Sequence, residues 1–130
     1  MERWLGWPLE RYLILFTSIA FLVMALQTTL FHYRQNFRHW AMWGPTIGLP
    51  LVAIVGFLLT WRDLTLFRWL FLILLVIEIA SGLAGFYYHG KGISQRVGGW
   101  DINNVMVGPP PLLPLMVSGL SILGLLALLL

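Results

Sequence analysis

The sequence predicts an all-α membrane protein with four transmembrane helices in an up-down-up-down bundle. It predicts a single transmembrane domain over residues 1–130. Apolar residues make up 59% of the chain and charged residues only 10%, whereas soluble domains contain about 45–50% and about 25%. The mean hydropathy is +0.85. Because so few charges could not cover the surface of a soluble protein of this size, the predicted solvent is lipid.

Four apolar runs have roughly the twenty residues that a helix needs to cross a bilayer. Tryptophan, tyrosine and arginine cluster at their ends, as expected at a lipid–water interface. The second run is the shortest, and Pro45 and Pro50 lie in its first turns, where proline is tolerated. The predicted spans are residues 12–31, 46–61, 66–88 and 112–130.

The lengths of the connections predict which ends of the spans lie together. Residues 62–65 form a short connection, which predicts a tight helical hairpin. The longer connections, 32–45 and 89–111, then fall on one side of the membrane, and both termini fall on the other. Each side carries four basic residues, but those on the terminal side are packed into shorter stretches of chain and lie closer to the spans. The positive-inside rule therefore predicts cytoplasmic termini in a multi-pass protein of the inner membrane.

Several functional classes are excluded by the residues that the chain lacks. There is no cysteine, which removes disulfides, zinc–thiolate sites and iron–sulfur clusters within this chain. No nucleophile elbow, phosphate-binding loop, dinucleotide fingerprint or zinc-protease motif occurs, so no catalytic residue is predicted. The basic residues are scattered between apolar runs rather than clustered, so nucleic acid is not a predicted partner.

An acidic residue, Glu78, lies near the middle of the third span. An ionisable group at that depth costs about 2.5–3.5 kcal/mol on insertion scales, which makes it a functional candidate. Gly82, Gly85 and His89 share its helix face by their spacing. One interpretation is a groove with a carboxylate at its floor and an imidazole at its mouth. The other is a neutral structural acid beside glycines that let a neighbouring helix approach closely.

Histidines end the first and third spans. In the predicted bundle these two helices run parallel and lie diagonally, so His32 and His89 are expected to face each other at similar depth. Such a pair suits the axial ligation of a b-type haem. It also suits a divalent metal with Asp101 or His39 nearby. The alternative is that both histidines are interfacial residues without a ligand.

Three arginines are predicted to lie on the same side as the histidines. Arg34, Arg38 and Arg96 could pair with haem propionates, with a quinone-like head group or with lipid head groups. Together with the histidine pair and the Glu78 face, they complete the predicted site for haem or quinone. Flanking basic residues are also ordinary in membrane proteins, and that alternative stays open.

The loop of residues 89–111 is predicted to be structured. It contains apolar residues among its glycines, asparagines and prolines, and a disordered linker would lack these. An exposed tryptophan flanked by turn residues is a frequent anchor for a partner protein. Trp100, Asp101 and Asn104 are therefore the predicted partner-binding residues.

The leading functional interpretation is a small, non-catalytic membrane subunit that docks in a larger, respiratory or redox, inner-membrane assembly or forms a homo-oligomer. The first alternative is an electron-transfer anchor that binds haem b or quinone. The second is a small proton-coupled transporter or membrane enzyme that uses Glu78. The four-span layout with paired histidines resembles the membrane anchor subunits of respiratory enzymes in architecture, and this likeness transfers no residue roles.

Overall fold

A computed structural model describes residues 3–130, which are mostly helical and contain no strand. A 3₁₀ turn, Trp40–Met42, leads into the second helix, and a π-helical turn, Ile93–Val97, continues the third. The α-helices are α1 (Leu9–Arg34), α2 (Trp43–Trp61), α3 (Thr65–Gly92), α4 (Ile102–Val107) and α5 (Leu112–Leu129). All except α4 are long and apolar enough to cross a membrane. The predicted class, an all-α membrane protein with four transmembrane helices, is confirmed.

The helices differ from the predicted spans mainly at their ends. α1 and α3 extend past the predicted ranges 12–31 and 66–88 at both ends, because interfacial residues continue the helical hydrogen bonding. α2 begins at Trp43, which places Pro45 in the first turn, where a backbone N–H has no helical acceptor. Pro50 lies inside α2. Because proline has no backbone N–H, one hydrogen bond of the helix is missing there.

The four long helices pack as a ring in which each one contacts two others. α1 packs against α2 and α5, and α3 packs against the same two helices. The indole of Trp4 donates a hydrogen bond to the carbonyl of Leu59 at 2.7 Å, and Arg11 Nε donates to the carbonyl of Thr60 at 3.0 Å. The beginning of α1 therefore lies beside the end of α2. The direction in which each helix crosses a bilayer and the side of the termini stay predictions.

Small residues allow the helices to approach closely inside the bundle. A Cβ atom at Gly56 would overlap the Ser18 hydroxyl, and a Cβ atom at Gly124 would come within 2.9 Å of Leu75 Cδ2. The Ser18 hydroxyl donates to the carbonyl of Ile14 at 2.7 Å, so it is satisfied without water. Large apolar side chains are exposed along all four long helices. This distribution is the one expected when hydrocarbon surrounds a helical bundle.

A buried ion pair fixes the hairpin between α2 and α3. The Asp63 side chain has no exposed surface, and its carboxylate accepts hydrogen bonds from Arg68 Nε and, at 2.9 Å, from Arg68 Nη2. The Arg68 guanidinium also lies over the ring of Trp4, 5.3 Å from its centroid. This pair is the one salt bridge found in residues 3–130. It holds the end of the bundle where α1 begins and α2 ends.

Replacing Arg68 with glutamine is expected to destabilise the bundle, because the buried Asp63 carboxylate loses its cation. Breaking a fully buried pair costs about 3–5 kcal/mol. Since Arg68 is partly exposed to solvent, we expect a smaller loss of about 2 kcal/mol. Thermal unfolding in detergent micelles, followed by circular dichroism, measures the change. Arg62→Gln is the matched control, because Arg62 is exposed, and an equal effect of both substitutions would contradict the expectation.

Candidate cofactor site

A tight turn after α1 brings the chain back over the end of the bundle. Asn36 and Phe37 both adopt left-handed backbone conformations, with φ angles of 57° and 47°. The N–H of Phe37 donates to the carbonyl of His32 at 3.0 Å, a pattern that terminates helices. The Phe37 ring stacks on Trp43 at a centroid distance of 4.1 Å. The segment that contains His39 and Met42 is thereby folded back against α1.

A cavity of about 550 Å³ opens at this end of the bundle. This volume lies within the range of about 300–1,000 Å³ that is usual for small-molecule and cofactor sites. Each long helix contributes to its wall, for example through Thr28, Pro45, Ser81 and Leu113. The three histidines of the chain also line it, namely His32, His39 and His89. The structure therefore brings the predicted histidine pair to one cavity.

Two of these imidazoles are held by backbone carbonyls. The Nδ1 atom of His32 lies 2.8 Å from the carbonyl oxygen of Met42, and the Nδ1 atom of His89 lies 2.6 Å from that of Pro110. A carbonyl oxygen can only accept a hydrogen bond, so each Nδ1 must carry the proton. In the neutral ring the lone pair is then on Nε2. This is the state in which a histidine ligates a metal, with its other nitrogen fixed by an outer partner.

His39 is held in the opposite way. The backbone N–H of Ala41 donates to His39 Nδ1 at 3.1 Å, so this nitrogen bears the lone pair and the proton of the neutral ring is on Nε2. The His39 ring is exposed and lies 5.0 Å from the ring of Tyr88. The three histidines therefore differ in which nitrogen carries the proton. It is on Nδ1 in His32 and His89 and on Nε2 in His39.

The protein ligands available for a metal are limited to this pair. Within residues 3–130, no group of three or more histidine, aspartate or glutamate side chains could hold a metal ion. Asp101, which was considered as a further ligand, is exposed and does not line the cavity. A bare divalent ion usually takes more than two protein ligands. A haem would need only two ligands from the protein, so the pair His32 and His89 fits this group.

The predicted arginines lie around the same mouth. Arg38 and Arg96 line the cavity. Arg34 lines a second cavity that adjoins it and that also includes Arg38 and Arg96. The structure thus brings these three basic residues to the side of the histidines.

Glu78 is buried, with 2% of its surface exposed, but it does not line the cavity. Its carboxylate packs against α2 at Gly48, where a Cβ atom would overlap Glu78 Oε1. Glu78 Oε2 has no hydrogen-bond partner among the described residues. Three positions further along α3, Ser81 lines the cavity. The structure therefore places the acid beside α2, with the cavity beginning about one helical turn away.

The glycines predicted to share a face with Glu78 lie close to α5. A Cβ atom at Gly82 would come within 2.5 Å of the carbonyl oxygen of Pro114, and one at Gly85 would lie 3.0 Å from Pro114 Cβ. Gly85 also lines the cavity, whereas Gly82 does not. Both glycines thus permit helix packing, the second of the two interpretations, and Gly85 in addition borders the cavity.

The loop of residues 89–111 is folded over the mouth of the bundle. The edge of the Trp100 ring packs on Gly90, where a Cβ atom would lie 3.0 Å from it, although 63% of Trp100 remains exposed. Asn104 Nδ2 donates to the carbonyl of Gly99 at 3.1 Å. Asp101 is exposed at the start of α4. A partner-binding role of Trp100, Asp101 and Asn104 stays a prediction.

The two carbonyls that hold the histidines belong to the backbone, so the side-chain pattern in the sequence does not reveal them. One sequence signal exists for the carbonyl of Pro110. The residue four positions later is Pro114, which has no N–H, so a helical donor for that carbonyl is absent. No comparable signal marks Met42, because its carbonyl reaches His32 only through the turn at residues 36–37.

Replacing Gly48 with alanine is expected to destabilise the fold, because the new methyl group would overlap the Glu78 carboxylate. Because the overlapping atoms are at the end of a flexible side chain that can shift, we expect the lower end of the usual cost of overpacking, about 1 kcal/mol. The cost should largely disappear when Glu78→Ala is added, and thermal unfolding of the four proteins of this double-mutant cycle measures the coupling. Gly44→Ala is the control, since a Cβ atom there meets nothing within 4 Å. Additive effects of the two substitutions would show that the contact is not important.

Comparison with known proteins gives no match for this chain. No protein family, no curated protein and no solved structure matches it. The chemistry of the cavity itself carries the argument for function, namely two imidazoles with Nε2 lone pairs beside a basic rim.

Proposed function

We propose that this protein is a small membrane-embedded redox subunit that holds a b-type haem between His32 and His89. The observation that carries the proposal is the shared arrangement of the two rings. Each donates its Nδ1 proton to a backbone carbonyl, and both line one cavity. Bis-histidine ligation requires two unprotonated nitrogens at one site, and haem proteins of the membrane use histidine in this role.

A quinone was the other cofactor considered, and the protonation of the rings favours haem over it. The carbonyl groups of an oxidised quinone need hydrogen-bond donors. In the neutral state, His32 and His89 offer acceptors at Nε2, because their protons are used at Nδ1. His39 and other lining residues such as Ser81 and Tyr88 could donate to a quinone. That would leave the lone pairs of His32 and His89 unused. A metal ion would bind the Nε2 lone pairs of both histidines. A quinone carbonyl is itself a hydrogen-bond acceptor and cannot bond to either.

The chain's own residues would bind and orient the cofactor and keep water from it. His32 is buried, with 7% of its surface exposed, and the carbonyls of Met42 and Pro110 would fix both imidazole planes. Hydrogen bonds of this kind raise the basicity of a ligating histidine. When bound, a bis-histidine haem supplies one-electron transfer. With His32 and His89 both holding the iron, the site would suit electron transfer rather than catalysis.

Membership of a larger inner-membrane assembly is part of the proposal. An electron carrier needs a donor and an acceptor, and a single haem in this cavity would provide neither. A partner protein is therefore proposed to supply them. The exposed face around Trp100 is the region predicted to meet it.

An absorption spectrum of the purified protein, produced with sufficient haem, tests the cofactor. We expect a Soret band and a reduced α band, and we expect His32→Ala and His89→Ala to reduce them by at least about tenfold, because each removes one axial ligand. Added imidazole should partly restore the bands in either variant by occupying the vacated position. This recovery shows that the variants are folded.

His39→Ala is the matched control for these variants. It removes a histidine from the wall of the same cavity, but one whose Nδ1 is an acceptor, so the bands should stay unchanged. Absence of both bands in the wild-type protein would overturn the haem proposal. Equal loss in all three variants would show that the cavity lining in general, and not the histidine pair, retains the pigment.

A further inference from the structure

A second cavity adjoins the main one on its basic side. We call it the annex, the space of about 400 Å³ among Arg34, Arg38, Arg96 and Pro109. It lies between the end of α1 and the chain that precedes α5. The two cavities share Arg38, Arg96 and Pro109 as part of their walls, so a molecule in the main cavity could extend into the annex.

The positive charge around the annex is not balanced by any acidic side chain of residues 3–130 in the cavity walls. Three arginines line it, and no aspartate or glutamate of the described chain lines either cavity. The salt bridge found in the described residues, between Asp63 and Arg68, lies in the hairpin between α2 and α3. The polar partner of Arg38 is the neutral side-chain oxygen of Gln35, at 2.9 Å from Nη2. The guanidinium groups therefore retain their capacity to bind an anion.

The backbone at Gly92 leaves space for the guanidinium group of Arg96 at the edge of the annex. Gly92 is buried, and a Cβ atom on it would lie 2.6 Å from Arg96 Nη2. The guanidinium of Arg96 therefore lies across the backbone of α3, in a space that any other residue at position 92 would fill. Gly92 itself lines the main cavity. Arg96 lines both cavities and remains exposed to solvent at their rim.

We infer that the annex binds the oxyanion of an amphiphilic molecule whose apolar body occupies the main cavity. The planar fork of an arginine matches a carboxylate or a phosphate group. This inference rests on the proposed function in one respect, because a haem in the main cavity would carry two carboxylates of this kind. The phosphate of an anionic lipid offers the same chemistry. Both sources place an oxyanion among Arg34, Arg38 and Arg96.

Reconstitution with two forms of the tetrapyrrole tests the cofactor as the source. Protein produced without haem is placed in phosphatidylcholine nanodiscs and titrated with haem b or with its dimethyl ester, which has no carboxylate. We expect haem b to bind at least about tenfold more tightly than the ester, a difference of about 1.4 kcal/mol. In the double variant Arg38→Gln, Arg96→Gln this preference should disappear, while both forms still ligate. Arg62→Gln, which alters an exposed basic residue outside both cavities, should retain it.

Native mass spectrometry tests the lipid as the source. The same proteins are placed in nanodiscs that contain phosphatidylglycerol and are released from them for analysis. Retention of phosphatidylglycerol by the wild type and by Arg62→Gln, with loss in the double variant, would support the oxyanion site with a lipid as its ligand. The inference is overturned if haem b and its ester bind equally and phosphatidylglycerol retention does not depend on the arginines. If neither tetrapyrrole binds, the proposed function fails, and the lipid measurement alone decides the oxyanion site.

Discussion

Close approach between helices at small residues is the constraint on which the rest of this structure depends. In hydrocarbon, apolar side chains gain nothing by leaving the solvent, so helices associate through packing and through hydrogen bonds. Gly56 against Ser18 and Gly82 against Pro114 are the contacts that show this most directly. These contacts extend towards the end where α1 and α3 carry histidines, since Gly85 also packs against Pro114 and both residues line the cavity.

The polar groups inside the bundle are satisfied by the backbone in nearly every described case. The hydroxyls of Ser18 and Thr60 donate to carbonyls one turn earlier, and that of Ser118 on α5 donates to the carbonyl of Ile79 on α3. The imidazoles of His32 and His89 follow the same rule but reach carbonyls outside their own helices. This longer reach ties the ends of α1 and α3 to the segments that cover the cavity. Glu78 is the exception, since one of its oxygens has no partner within the described chain.

The general architecture and part of the site could be predicted from the sequence, because hydropathy and helical spacing depend on local composition. The four spans and the presence of His32 and His89 in one cavity are of this kind. The site's remaining features depend on contacts between distant residues. The Glu78 carboxylate packs against Gly48 on α2 and not against the cavity. The spacing of residues along α3 defines a helix face, but it does not show which neighbouring helix that face contacts. The turn at Phe37 was equally hidden, because a bulky residue rarely adopts a positive φ angle.

The ion pair between Asp63 and Arg68 bears on the position that a haem would have under the proposed function. It closes the bundle together with the bonds from Trp4 and Arg11 to the end of α2, while the histidines lie near the far end of α1. That helix has 26 residues and is about 39 Å long at 1.5 Å per residue. A single redox centre in the cavity would therefore sit close to one face of the bilayer. Passage of charge from one aqueous compartment to the other would require a second centre, carried by another polypeptide.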